Sequence, residues 1–419
     1  MIAKKMGTMS LILFSLVLLT GSLGTAVSTQ AADTIKIAFM DPLSGPVALV
    51  GQAVHQLARF CVGMTNKQGG LLGKQIEGFY VDTEFKPQVA VRKATELILD
   101  KKVDFIAIGS SSNVAEALMP VSAEYKKILI NLGGLSNVIH SNKFFSRYAF
   151  RPIFNTWAQG AAFGVYYAGQ PYNNFYLLNP DYAFGHDFAA AVIENLKKKK
   201  PSAQILADEY YQVGVKDWAP FLSKIKKSGA EVLVTCAFGT DALTLLKQAH
   251  QFGLRLSIGD YTMPVPSVLT GAGDTALGVV TVGGILNTDP NPNVQRMDRM
   301  VHEMNKNDPN MDTHWAYATT LDYINGWNFF MAAVEKAGSL DPEKIIKTWE
   351  GMEYTSLNGD KVIMRACDHQ LLLPMSVAKV VAGKNKYLGD VPYLSAPVVK
   401  VSREDTAIPA TPEYNQRCR

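Results

Sequence analysis

Cysteine is scarce in this chain of 419 residues, four in all, and none falls in a CxxC spacing. No HxxxH pair occurs either, so the common arrangements that gather a zinc ion are missing. The seven histidines, His55, His140 and His314 among them, are scattered, and HEMNK at His302 lacks the second histidine of a zinc-protease helix. No GxGxxG follows a strand pattern, which removes the usual dinucleotide fingerprint. QGGLLGKQ puts Gln68 and Gln75 where a phosphate loop needs its first glycine and its Ser/Thr. GSSSN at 109–113 lacks the second glycine of a nucleophile elbow, and no histidine is placed to partner it. Excess charge is lacking too: the net charge is +4 and no basic face is clustered. A nucleic-acid reader needs such a face. The one basic run, Lys197–Lys200, closes a helical pattern just before Pro201, where cations complement the helix dipole. No catalytic set, metal site, cofactor or nucleic-acid partner is expected.

Long apolar runs are confined to the N-terminus. Lys4 and Lys5 precede the run Leu11–Leu19, and small residues follow up to Ala31 and Ala32. That order is a secretory leader, cleaved between Thr29 and Asp33 and here taken as residues 1–31. No later run approaches about 18 apolar residues. The mature chain is expected in the periplasm. Hydrophobic residues at 47% and charged residues at 19% describe a globular protein, and the length exceeds one ordinary core.

In an exported chain the cysteines separate into two kinds. Cys61 shares one helical face with Val54, Leu57 and Met64, and Cys236 lies in the apolar strand VLVTCAF, so both read as buried thiols. Cys367 and Cys418 lie in polar, turn-rich sequence and read as a disulfide that staples the tail onto a second lobe.

Short apolar runs alternate with helical patterns: strands at Ile35–Phe39, Ile76–Val81, Val103–Ile108 and Ile128–Asn131, with helices between. A second such series runs from Trp157 to Phe252. Strands apolar on both faces, alternating with helices, predict an α/β fold of two doubly wound parallel-sheet lobes.

The stretches IKIAFMDPLSGPVALVGQ, NKQGGLLGKQIEGFYVDTEFKP and VDFIAIGSSSN come in the order strand, helix, glycine turn, strand, helix, strand. With FRPIFNTWAQG, NPDYAFGHDF and VGVKDWAPFLSKIKKSGAEVLV, this order resembles the leucine/isoleucine/valine-binding family, solute receptors of branched-chain amino-acid ABC transporters. The resemblance implies a type I periplasmic binding protein with a three-segment hinge near Arg151, Gly283 and Leu357–Asp360. Lobe 1 is then 32–151 with 284–357, and lobe 2 is 152–283 with 358–419. Its implied partners are a small solute and a membrane permease with its ATPases.

Open α/β sheets bind ligands beyond the carboxyl ends of their strands. In lobe 1 that place is Ser111, Ser112 and Asn113, where hydroxyls and helix N–H groups suit a carboxylate. Helix capping accounts for one or two of these residues. By resemblance, Gly134 and Ser136 add a backbone contact and a hydroxyl. In lobe 2, Phe184, Phe238 and Tyr261 lie in three equivalent loops and suit an apolar wall. The family's amino-acid receptors differ at two points: Val50 stands where a tyrosine follows GPVA, and the acid that pairs with the ammonium is expected near Tyr261. Asp260 serves only if the loop shifts by one residue. The reading is therefore a receptor for a carboxylate-bearing solute, an amino acid or a related organic or aromatic acid. Its alternatives are a sensing module without transport, or a receptor for an amide or urea.

Overall fold

The computed structural model describes residues 33–45, 48–306, 320–384, 390 and 392–418. The expected leader at 1–31 and His314 lie outside them. No helix among the described residues is long and apolar enough to cross a membrane.

The first sheet is built from β1 (Ile35–Asp41), β2 (Ile76–Asp82), β3 (Phe105–Ile108), β4 (Ile128–Asn131) and β5 (Ala149–Phe150). Helices α1 (Ala48–Lys67), α2 (Pro87–Glu96) and α3 (Ser112–Tyr125) connect them. The order is β2-β1-β3-β4-β5 with all pairs parallel. β3 and β4 are buried along their whole length, as a sheet covered on both faces requires. α2 continues as a π-helical turn, Leu97–Lys101, and stops at Lys102, whose φ of 56° ends the helix.

The chain then crosses to α4 (Thr156–Ala168), whose N-cap Asn155 accepts the Ala158 amide at 2.9 Å. There follow β6 (Asn174–Pro180), α5 (Ala183–Lys199), β7 (Gln204–Tyr211), α6 (Ala219–Ser228), β8 (Val232–Thr235), α7 (Gly239–Gln251), β9 (Ser257–Asp260), α8 (Pro266–Ala272) and β10 (Val280–Gly283). In the second sheet β7, β6, β8, β9 and β10 are parallel neighbours.

A return crossing leads to α9 (Pro292–Lys306), α10 (Thr320–Ala337) and α11 (Pro342–Trp349). α10 packs on α1 beside the first sheet: Trp327 Nε1 donates to Thr65 Oγ1 at 3.0 Å, and its ring lies 6.0 Å from Phe39. Next comes a small sheet of β11 (Glu353–Thr355), β12 (Lys361–Met364) and β13 (Leu371–Leu372). Residues 357–360 form the turn of its first hairpin. The chain enters the second sheet at β14 (Met375–Val381), antiparallel to β10, with β15 (Tyr393–Leu394) and β16 (Val399–Val401) beside it. A short helix, α12 (Arg403–Thr406), precedes the tail.

Two crossings are stitched to each other. Arg151 N donates to the His369 carbonyl at 2.9 Å, Leu371 N returns to the Arg151 carbonyl at 3.0 Å, and Gln370 Nε2 reaches the Ile153 carbonyl at 2.8 Å. Cys367 and Cys418 are bonded, while Cys61 and Cys236 are buried free thiols. The expected attachment is corrected. The tail's last residues fasten to the first lobe, because Asn142 N donates to the Tyr414 carbonyl at 2.7 Å and Asn415 Nδ2 donates to the His140 carbonyl at 2.9 Å. The lysines at the end of α5 are engaged by distant segments: Lys199 pairs with Asp405 of α12 at 2.7 Å and Lys200 Nζ donates to the Tyr172 carbonyl at 2.7 Å.

Candidate functional site

The carboxyl ends of β3 and β4 bring five of the expected residues together. Asp41, the last residue of β1 and buried, accepts the Gly109 amide at 3.0 Å and the Ser110 hydroxyl at 2.5 Å. Its other oxygen lies 3.4 Å from His55 Nε2. This ties the turn after β3 to the end of the neighbouring strand. A Cβ on Gly133 would meet the Gly109 carbonyl oxygen at 1.8 Å, so the turns after β3 and β4 touch backbone to backbone and need glycine there.

Ser111 occupies the N-cap of α3 with extended backbone, yet its hydroxyl does not cap the helix; it bonds to Asn113 Oδ1. That same oxygen accepts the Val114 amide at 2.9 Å. Ser112 Oγ accepts the Ser136 amide at 3.2 Å and so joins the two loops. Asn131 shapes the second loop: its Oδ1 accepts the Gly134 amide at 2.7 Å and its Nδ2 donates to the Gly134 carbonyl at 2.9 Å.

Beneath this loop lies Arg151, fully buried, donating through Nη1 to the carbonyls of Gly134 at 3.0 Å and Ser136 at 2.7 Å. Burial lowers its guanidinium to about 10, still charged at neutral pH, and its Nη2 has no hydrogen-bond partner among the described residues. A cation, serine hydroxyls and the first turn of a helix thus surround the loops, a combination that favours an anion.

From the second sheet, Phe184 stands in the first turn of α5, Phe238 at the N-cap of α7, and Tyr261 directly after β9. Phe184 and Tyr261 meet edge to face at 5.5 Å. Tyr182, not foreseen, joins them: it stacks on Phe184 at 5.9 Å and meets Phe238 at 6.5 Å. Four rings from three strand ends therefore touch in series, and Tyr182 is 43% exposed.

Asp260 stands apart from this wall. It pairs in register with Thr235, is fully buried, and turns one carboxylate oxygen to the amide of Thr262 at 2.7 Å and its hydroxyl at 2.5 Å. Burial pushes its carboxyl up to about 7, although the Thr262 bonds oppose the shift. It forms a turn rather than standing as a free charge beside Tyr261.

Asp187, also not foreseen, reaches the first lobe from α5, its Oδ2 accepting the Asn137 amide at 3.0 Å and the Ser136 hydroxyl at 3.4 Å. Asp41 and Asp187 escaped the sequence reading although each sits at a strand end or helix start of a quoted segment. Strand-end position is the signal that finds Asp41, and a place in the opening turns of a helix after a strand is the one that finds Asp187. Among the described residues, one group of metal-type ligands clusters, Cys367, Asp368 and Cys418, and its two sulfurs are bonded to each other.

The chain matches the family model described as "Periplasmic binding protein" over residues 34–385. It is similar to a leucine-, isoleucine-, valine-, threonine- and alanine-binding protein of Pseudomonas aeruginosa, 26% identical over 340 residues, covering 80% of this chain and 87% of that protein. A crystal structure of a protein of the same description from Brucella ovis, in its closed conformation, superposes with a TM-score of 0.80 at 22% identity, over 90% of this chain and 97% of that one. An ABC-transporter solute-binding protein of Rhodopseudomonas palustris, in complex with 3,4-dihydroxybenzoic acid, gives a TM-score of 0.75 at 21% identity, over 88% and 98%.

Proposed function

Since this chain belongs to the periplasmic binding protein family, we propose that it is the exported receptor of an ABC importer and captures a small aromatic carboxylate. The carboxylate sits on Ser111, Ser112 and Asn113 with the Gly134–Ser136 loop, over the buried charge of Arg151. The ring lies against Phe184, Phe238 and Tyr261. Residues 1–31 are the leader that brings the chain to the periplasm, where the closed form docks on a permease driven by its ATPases. The solute touches both lobes, so it favours the closed state by the difference in its affinity for the two.

The observation that carries this reading is the series of ring contacts Phe238–Tyr182–Phe184–Tyr261, which offers π-faces where an amino-acid receptor needs an acid. The solved relative with dihydroxybenzoic acid supports it. A second reading, an α-amino acid, draws on Asp187, whose carboxylate lies beside Ser136. Titration calorimetry with 4-hydroxybenzoate, benzoate, benzamide, leucine and urea separates them. Binding of the benzoates with benzamide at least tenfold weaker is the expected result. Leucine binding without any benzoate binding overturns it.

A further inference from the structure

Besides Asn131, Ser112 and Thr156, the loop at 134–137 is held by four more partners. Arg151 grips the carbonyls of Gly134 and Ser136 from below. The Trp157 amide, opening α4, donates to Asn137 Oδ1 at 2.9 Å. Tyr414, on the tail, donates its hydroxyl to the Asn137 carbonyl at 3.1 Å. The fourth partner is Asp187, and its position differs in kind. Trp157 follows the first crossing directly, and Tyr414 belongs to a tail already bonded to the first lobe. Asp187 lies 30 residues further along, in α5, which packs on β6 and α4 of the second lobe.

One carboxylate oxygen of the second lobe therefore meets an amide and a hydroxyl of the first, 3.0 and 3.4 Å away. Residues three apart on a helix share a face, so Asp187 and Phe184 are carried together. Seating Asp187 on the loop therefore carries the helix turn that holds Phe184 with it. The charged and titratable groups around the carboxylate are Arg151 beneath the loop, Glu116 on α3, and His186 beside it on α5.

We propose that Asp187 is the positioning residue that clasps the second lobe onto the head-group loop and so sets the closed population. This rests on the two-lobed receptor reading, but it makes no use of which solute is bound. The clasp uses a charged acceptor on two donors, a stronger contact than a neutral pair. Apparent affinity is reduced by the fraction of molecules that are not binding-competent, so loosening the clasp weakens binding of any solute that needs the closed form.

Small-angle scattering of solute-free wild type, Asp187→Ala and Asp187→Asn tests this, with calorimetry on 4-hydroxybenzoate and leucine alongside. The alanine variant is expected to show a larger radius of gyration than wild type and about tenfold weaker binding of whichever probe binds. Asparagine keeps an acceptor oxygen and falls between, which a merely structural loss does not produce. Faster hydrogen exchange at the Asn137 amide in both variants accompanies this. If all three scattering curves and exchange rates coincide, the clasp is absent and the proposal fails. If Asp187→Ala abolishes leucine binding with scattering unchanged, the residue contacts the solute instead, which also overturns it. Failure of every benzoate to bind wild type refutes the solute class, and the solute-free scattering still decides the clasp.

Discussion

The carboxylate of Asp41 accepts the backbone amide of Gly109 at 3.0 Å. Strands β1 and β3 are neighbours in the sheet, and this bond extends their pairing into the turn that carries the serines. The Ser110 hydroxyl shares the same oxygen, so one buried acid holds the turn by two donors. The neighbouring loop then leans on this turn through Ser112 and Ser136.

Asp41→Ala is expected to lower stability by about 1–3 kcal/mol, the cost of leaving buried donors without a partner. It also frees the serine turn, so solute affinity falls beyond the change in melting point. Asp41→Asn retains an oxygen for one donor and is expected to lose less of both. Denaturant titration and calorimetry on the same preparations check this, and unchanged affinity in the alanine variant refutes the positioning role.

Ser111→Ala and Ser112→Ala distinguish a carboxylate site from a purely structural turn. A lost charge-assisted hydroxyl contact costs about 1.5–3 kcal/mol of binding, roughly ten- to a hundredfold in affinity. Ser112 also accepts the Ser136 amide, so its variant is expected to lose about 1 kcal/mol of stability besides. Lowered melting points with full affinity in both variants would show that the serines only shape the loops.

Much of the first lobe was legible because β3 and β4 are short and apolar on both faces, and a run of glycine and serine closes β3. β4 lies at its expected bounds, and the helix expected between it and β3 opens inside the serine turn, at Ser112. The serine turn followed from the general rule about strand ends. What escaped depends on contacts between distant parts of the chain. Asp187 looks like an ordinary surface residue in the first turns of α5 until the second lobe lies against Asn137. Arg151 reads as a hinge marker, and burial beneath the Ser136 loop is invisible to local pattern. The tail beyond α12 has little periodicity, so its docking on 137–142 rests on hydrogen bonds that no spacing encodes.

Phe184→Ala and Tyr182→Ala test the aromatic wall. Each is expected to weaken benzoate binding about tenfold, since a lost ring-on-ring contact and its buried area together exceed about 1 kcal/mol. Because Tyr182 is more exposed than Phe184, its variant should leave the melting point nearly unchanged. Equal loss of affinity for aromatic and aliphatic acids would argue against stacking.

The bridge between Cys367 and Cys418 spans 51 residues of sequence. Cys418→Ser is expected to cost about 2–4 kcal/mol, the usual range for closing a loop of this size. Wild type in reductant should match the variant. Peptide mapping that finds both thiols free in exported protein would refute the pairing.

Asp322 gives the last prediction, a pH dependence. It sits in the first turn of α10, buried, beside the crossing at Gly284, where an added Cβ would strike its carboxylate at 2.1 Å. Burial pushes its carboxyl up to about 8, and the nearby amides of Ile285 and Gly284 offset only part of this. In the unfolded chain the same group titrates near about 4. Between these values the folded state keeps a proton that the unfolded state has released. Stability contributed by this group therefore falls as pH rises from about 4 to about 8, and levels off above. The slope approaches about 1.4 kcal/mol per pH unit for a single group. Asp260, raised to about 7, adds a slope of the same sign over a narrower window. Asp322→Asn is neutral at every pH and removes one of the two. Its stability relative to wild type should therefore increase steadily from pH 5 to pH 8 and then hold constant. Melting curves for the two proteins across that range check it, and parallel profiles would show that Asp322 is ionised in the fold and that its burial is compensated by charge.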